Sequence, residues 1–305
     1  NGEVMNMSAR SRFRLFKFPV KNQLHRFTRS KFGSFLFFAI LISGGLFSVL
    51  PLVYCITTSF KPLDELLIFP PTLFTVKRPT IANYTAIPDL LSGLSVPITR
   101  YAFNSIFVSI IGTFLSVIIS AMAAFVLSKT EMKFNKLIFT VVQFSLLFNA
   151  YTLSVPQYIV YSKIGIINTY LAYIVPAAAS SMGVFLMKQY MDGYVPYALI
   201  EAAHIDGAGW IGIFTRIVLP IVRPCVLTLV MFSFLGIWNS VPSGTIFSES
   251  LKTLPTVMST IAAGGLARSG SSMATSVILM IFPIAVYLIS QGSIKETMGS
   301  AGIKG

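Results

Sequence analysis

Uncharged stretches dominate the chain, running over 32–60, 101–128, 137–162, 164–187, 224–248 and 269–294. A helix needs about 20 apolar residues to cross about 30 Å of hydrocarbon, so each stretch predicts a transmembrane helix. The first follows basic residues, as a signal peptide would. Its apolar core over 35–57 exceeds the roughly 7–15 residues of a signal's hydrophobic region, and it reads as a retained helix. The predicted class is therefore all-α and polytopic, with six transmembrane helices. A basic segment, 1–31, precedes a six-helix domain over 32–305.

Six crossings put both ends on one side, and the basic residues choose which. Segments 1–31, 129–136, 188–223 and 295–305 carry 8, 3, 3 and 2 Lys or Arg, against 7 in all the connections on the opposite side. Cytoplasmic loops carry the basic excess, so both termini and the 188–223 connection are expected in the cytoplasm. Segment 1–31 also places Phe13, Phe16, Val20, Leu24 and Phe27 at helical spacings, interrupted by Pro19. It fits either a solvated basic tail or an interfacial helix drawn to anionic lipid.

The 188–223 connection is too long for a simple turn and has helical spacing of its own. Val195, Ala198, Ala202 and His204–Ile205 fall near one face, Gly207 and Gly209 interrupt, and a second short helix resumes from Trp210. Pro220 and Pro224 stand where the chain turns into the fifth crossing, a position that suits proline in a helix's first turn.

Composition agrees and excludes much else. Residues are 54% hydrophobic and 11% charged, far below the roughly 25% charged of soluble domains. The net charge of +13 could suggest nucleic acid, but a mean hydropathy of +0.77 leaves little solvated surface for a phosphate-binding face. Cys55 and Cys225 both lie in apolar runs, and His25 and His204 have no Cys or His beside them, so no metal site is expected.

From Glu201 the sequence reads EAAHIDGAGWIGIFTRIVLP. Glu201, Ala202, Ala203, three residues, Gly207, nine residues, Ile217, one residue, Leu219 and Pro220 resemble the EAA loop of membrane permeases of bacterial binding-protein-dependent ABC importers. The Asp206-Gly207-Ala208 variant is similar to the carbohydrate-uptake branch, in particular the second permease of maltose-type systems. Further likeness lies in Ser59-Phe60-Lys61-Pro62, Asn83-Tyr84, Gly165-Ile166-Ile167-Asn168-Thr169-Tyr170 and Leu254-Pro255. One departure is Trp238-Asn239-Ser240, where many relatives carry an acid after the asparagine.

The resemblance implies a type I importer permease fold that works with a second, related permease, two copies of a cytoplasmic ATPase and an external solute-binding protein. The expected cargo is a sugar, most simply an oligosaccharide, with a polyol, phosphodiester or amino acid as alternatives. The chain contains no G-x-x-x-x-G-K-[ST] motif, so ATP and magnesium are expected on the partner ATPase and no cofactor on this chain. Glu201, Ala202, Ala203, Asp206, Gly207, Ile217, Leu219 and Pro220 are the candidate coupling residues. Candidates for the substrate path are polar or aromatic groups inside the apolar stretches: Gln143, Asn149 and Tyr151 on the third, Trp238 and Asn239 at the outer end of the fifth. A rival class, the ion-driven secondary transporter, calls for intramembrane carboxylates, whereas all ten acids fall in the predicted loops.

Overall fold

The computed structural model describes residues 31–69, 72–93, 95–148, 150–241 and 244–301. The expected basic segment 1–31 lies, but for Lys31, outside these residues. Every regular element among those described is helical. Two compact units divide at Leu50–Pro51, inside the first long helix, α1 (Lys31–Ser59). In the first unit, Phe35, Phe38, Ile40, Leu46 and Phe47 are exposed, as lipid-facing side chains are.

In the second unit, α2 (Leu63–Leu66) and α3 (Ala82–Leu90) precede the longest packed helix, α4 (Ile98–Lys129). There follow α5 (Asn135–Ser145), α6 (Ala150–Ile164), α7 (Leu171–Ala178) and α8 (Ser181–Tyr194). The short helices α9 (Tyr197–Ile205), α10 (Trp210–Ile213) and α11 (Leu219–Ile221) lead into α12 (Arg223–Trp238), then α13 (Leu254–Ala262) and α14 (Ser269–Ala301). A π-helical stretch, Phe214–Val218, joins α10 to α11.

Among the described residues four helical segments are long and apolar enough to cross a membrane: Gly33–Ser59, Ile98–Lys129, Leu171–Tyr194 and Ser269–Gly292. A fifth is a bent pair, Trp210–Ile221 with Arg223–Trp238, turned by 82°. The count of six crossings is not confirmed among the described residues, where the third stretch is divided between α5 and α6. There α5 has 11 residues and α6 has 15, roughly 16 and 22 Å at 1.5 Å per residue, each short of the hydrocarbon thickness. The amides of Leu146, Leu147 and Phe148 bond back by three residues, which closes turns and ends α5. The fourth candidate span begins later than its charge-free stretch and runs on to Tyr194, so 188–194 is helical and continuous with it. Asp192, expected in the 188–223 connection, stands in the last turn of α8, paired with Lys188 at 2.6 Å.

Packing is inverted relative to a soluble helix along α4. Its small and polar residues Ser105, Ser109, Gly112, Ser116, Ser120 and Ala124 are buried, while Phe103, Phe107, Ile110, Phe114 and Met122 are exposed. Lipid tails are as apolar as Leu, so close backbone approach drives association, and small side chains allow it. α4 packs on α7, α8 and α12. At Gly112 an added Cβ would lie 2.9 Å from Ile237 Cδ1 and 3.4 Å from Ala177 Cβ, so glycine lets these three helices meet.

The sequence motifs outside the loop are knots at the far end of α4 from Lys129. Ser59 Oγ and Tyr84 Oη lie 2.8 Å apart, and Asn83 Nδ2 donates to the carbonyls of Ser59 and Lys61 at 2.9 and 2.8 Å. Asn168, at φ +58°, accepts from the amides of Phe247 and Ser248 and donates to Ser248 Oγ at 2.7 Å. Asn104 Nδ2 donates to the carbonyls of Ser250 and Lys252, and Ser105 Oγ accepts from the amide of Leu254 at 2.7 Å.

Candidate functional site

The 195–222 segment is rooted in the core. Ile200 and Ala203 of α9, Ile213 of α10, and Val218 and Val222 are buried with Val117, Ala121, Ala124 and Phe125 of α4 and Met187 and Met191 of α8. The buried face of α9 is therefore Ile200 and Ala203. Of the residues read as one helical face, Val195 is buried while Ala198, Ala202 and His204–Ile205 are exposed. The reason is spacing: Ile200 and Ala203 are three apart and share a side of the helix, and Ala202 and Ile205 share another.

α9 ends in a Schellman cap. The amide of Ala208 donates to the carbonyl of Ala203 at 2.9 Å, and that of Gly207 to His204 at 3.0 Å. Gly207 takes the left-handed conformation this cap needs, φ +80°. A Cβ there would meet nothing within 4 Å, so the demand on Gly207 is conformational and not steric. The His204 ring meets Trp210 edge-on at 4.3 Å, and Phe125 of α4 lies 6.0 Å from Trp210 and 5.4 Å from Phe214. Pro220 and Pro224 sit in the first turns of α11 and α12, as their spacing suggests.

Held this way, the segment presents Glu201, Ala202, Ile205 (86% exposed), Asp206 and Ile211 (81% exposed) to the outside. Among the described residues Glu201 has no ion-pair partner. A carboxylate, a methyl-sized side chain and two bare isoleucines on a rigid, glycine-capped helix are what a cleft in another protein can grip. Of the eight coupling candidates, Glu201, Ala202, Asp206 and Gly207 share this exposed face. Ala203 instead belongs to the chain's own core, and Ile217 and Leu219 pack against it half-buried; Pro220 is exposed.

The path candidates fare differently. Asn149 and the side chain of Tyr151 lie outside the described residues. Gln143 is exposed on α5. Trp238, a path candidate, is packed inside the chain: it is 2% exposed, its Nε1 donates to the carbonyl of Leu279 at 3.2 Å, and its ring lies against Phe234 and Phe282. Asn239 is exposed and its amide bonds its own helix at Leu235.

A cavity of about 590 Å³ lies instead between α6, α7 and α12, reaching α4 at Ser116. Ser154, Gln157, Tyr158 and Tyr161 of α6, Tyr173 of α7 and Ser233 of α12 contribute its polar and aromatic groups, and Gly236 and Ser240 line it too. Gln157 Nε2 donates to Tyr161 Oη. Among the described lining residues none is ionisable as Asp, Glu, Lys, Arg or His. Sequence reading misses this cavity because tyrosines and serines spaced along three helices give no local motif; Gln157, an amide four residues before Tyr161, is the one signal available to it.

No protein-family model matches the chain. Among curated proteins it is 28% identical over 277 residues to the sulfoquinovosyl glycerol transport system permease protein SmoH of Agrobacterium fabrum, covering 89% of this chain and 93% of that one. It is 29% identical over 266 residues to the arabinooligosaccharides transport system permease protein AraQ of Halalkalibacterium halodurans, covering 85% and 92%. Among solved structures it matches a chain of a bacterial ABC transporter involved in the import of the acidic polysaccharide alginate, with a TM-score of 0.71 at 18% identity over 87% of this chain and 99% of that one.

Proposed function

Since the chain belongs to the membrane permease subunits of ABC importers, we propose that it forms one half of a sugar-translocation pathway driven from its α9–α10 face. Its partners are a second, related permease, two copies of a cytoplasmic ATPase that bind the ATP and magnesium, and an external binding protein that delivers the sugar. The chain sits in the bacterial cytoplasmic membrane with both termini in the cytoplasm, and it does no covalent chemistry itself.

The observation that carries this reading is the exposed, rigidly rooted face of Glu201, Ala202, Ile205, Asp206 and Ile211. Closure of the ATPases displaces α9, and because Ile200 and Ala203 are buried against α4 and α8, those helices move with it. Access to the cavity then alternates between the two sides. An oligosaccharide suits the cavity: a ring C–H face stacks on the exposed Tyr158, and hydroxyls exchange hydrogen bonds with Gln157, Ser233 and Ser240. A volume of about 590 Å³ falls within the roughly 300–1,000 Å³ of small-molecule sites. The described lining residues offer no countercharge, so an uncharged sugar enters at lower desolvation cost than a uronate or sulfonate.

Two variants test the drive. Glu201→Lys reverses the charge at the docking face. Gly207→Pro removes the amide that bonds His204 and forbids φ +80°. In the reconstituted assembly both should leave the permease folded but abolish stimulation of ATP hydrolysis by sugar-loaded binding protein, with less ATPase co-purifying. Full stimulation in both variants excludes this loop as the driving element.

A further inference from the structure

Lys129 stands where the positive-inside pattern expects a solvated loop charge, yet it is 5% exposed and ends α4. Its Nζ donates to the carbonyl of Val195 at 2.7 Å. Val195 is the cap of α8, and its carbonyl is one of the helix-end acceptors that no helical amide can satisfy. A cation at the C-terminal end of a helix also meets the negative end of its dipole. The next residue, Pro196, caps the start of α9, so the bonded carbonyl lies at the junction between α8 and the docking helix.

The tie runs both ways. Tyr197 Oη, in the first turn of α9, donates to the carbonyl of Lys129 at 3.2 Å. Beside it Ser128 Oγ donates to Asp192 Oδ1 at 2.5 Å, and Asp192 Oδ2 takes the ammonium of Lys188 at 2.6 Å. Polar bonds thus join the end of α4, the last turn of α8 and the start of α9. From Lys129, α4 runs unbroken to Ser116, thirteen residues and roughly 20 Å away at 1.5 Å per residue. There Ser116 Oγ lies 3.2 Å from Ser233 Oγ, and both line the cavity.

Resting on the drive reading above, we propose that Lys129 is the positioning residue through which displacement of α9 reaches the cavity. Apolar packing of Ile200 and Ala203 carries α9 and α4 together but restrains their relative slide less sharply than a directional bond does. The reciprocal bonds between Lys129 and residues 195–197 do fix it, because a hydrogen bond weakens steeply with distance and angle. α4 therefore follows α9 as a rigid lever.

The test uses the full assembly in proteoliposomes with its binding protein, and Gly236→Cys, at the cavity lining where an added Cβ meets nothing within 4 Å, as reporter. The rate of its labelling by an impermeant maleimide is measured with and without ATP, magnesium and vanadate, alongside the amount of nucleotide trapped. Lys129→Met keeps the length and apolar stem but removes the donor, and Tyr197→Phe removes only the return bond. Lys129→Met should trap nucleotide as the parent does while the nucleotide-dependent change in labelling falls about tenfold, in the range of typical coupling between sites. Tyr197→Phe should give a smaller loss of the same kind, and Lys129→Arg, which restores a donor, should recover part of it. The proposal is overturned if both Lys129→Met and Tyr197→Phe retain the full change, or if labelling and trapping fall in parallel, which marks a structural role alone. Should Lys129→Met not assemble, Tyr197→Phe decides by the same split. If the parent shows no nucleotide-dependent change, the alternating-access reading itself fails, a result distinct from failure of Lys129.

Discussion

At Gly207 the backbone turns at φ +80° to close the cap of α9, and the need for glycine is legible in the sequence because Gly207 and Gly209 interrupt a helical pattern. Lys129 is not legible in the same way: a lysine at the edge of an apolar stretch has the same sequence signature whether solvated or buried against a carbonyl. Trp238 shows the opposite failure. A tryptophan near a predicted membrane boundary suggests an interfacial ring, but α12 ends at Trp238 and the ring turns inward onto α14. Trp238→Ala should therefore act on stability, costing on the order of 3–5 kcal/mol as for other buried aromatics truncated to alanine. Thermal unfolding of the purified chain measures it, with Asn239→Ala, exposed and bonded only to its own helix, as the near-neutral control. Unchanged unfolding of Trp238→Ala together with a raised half-saturating sugar concentration contradicts this placement.

Among the elements, charge-free length locates the long helices well, since few soluble segments sustain such runs. It misjudges where helices break. Nothing in the charge pattern of 137–162 separates α5 from α6, because the break comes from local turn bonds at 146–148 and not from a charge. The loop is the reverse case. Its two short helices and glycine bend follow from spacing, but which face of α9 enters the core depends on α4 and α8, distant in sequence. The small-residue stripe of α4 is readable as a packing face, and its partners α7, α8 and α12 become known only from the fold.

For the molecule as a whole, orientation rests on the split of basic residues, 16 against 7. Thr75 and Ser250 are exposed on one set of connections and Lys133 on the other. Thr75→Cys and Ser250→Cys should react with an impermeant thiol reagent from outside intact cells, and Lys133→Cys only after permeabilisation. Labelling of Lys133→Cys from outside reverses the orientation and with it the side on which α9 meets a partner.

The central claim is that the α9–α10 face is where the ATPase grips this chain, and its two bare isoleucines give the most direct measurement. Ile205 and Ile211 are 86% and 81% exposed and hold nothing inside the fold, so the double variant Ile205→Asp with Ile211→Asp should leave the helices and their stability intact. Desolvated apolar anchors carry most of the energy of such interfaces, and losing two should cut ATPase co-purification with the solubilised permease by about tenfold or more. That loss should occur in a permease whose unfolding temperature is unchanged. Retention of the ATPase at the parent level contradicts it.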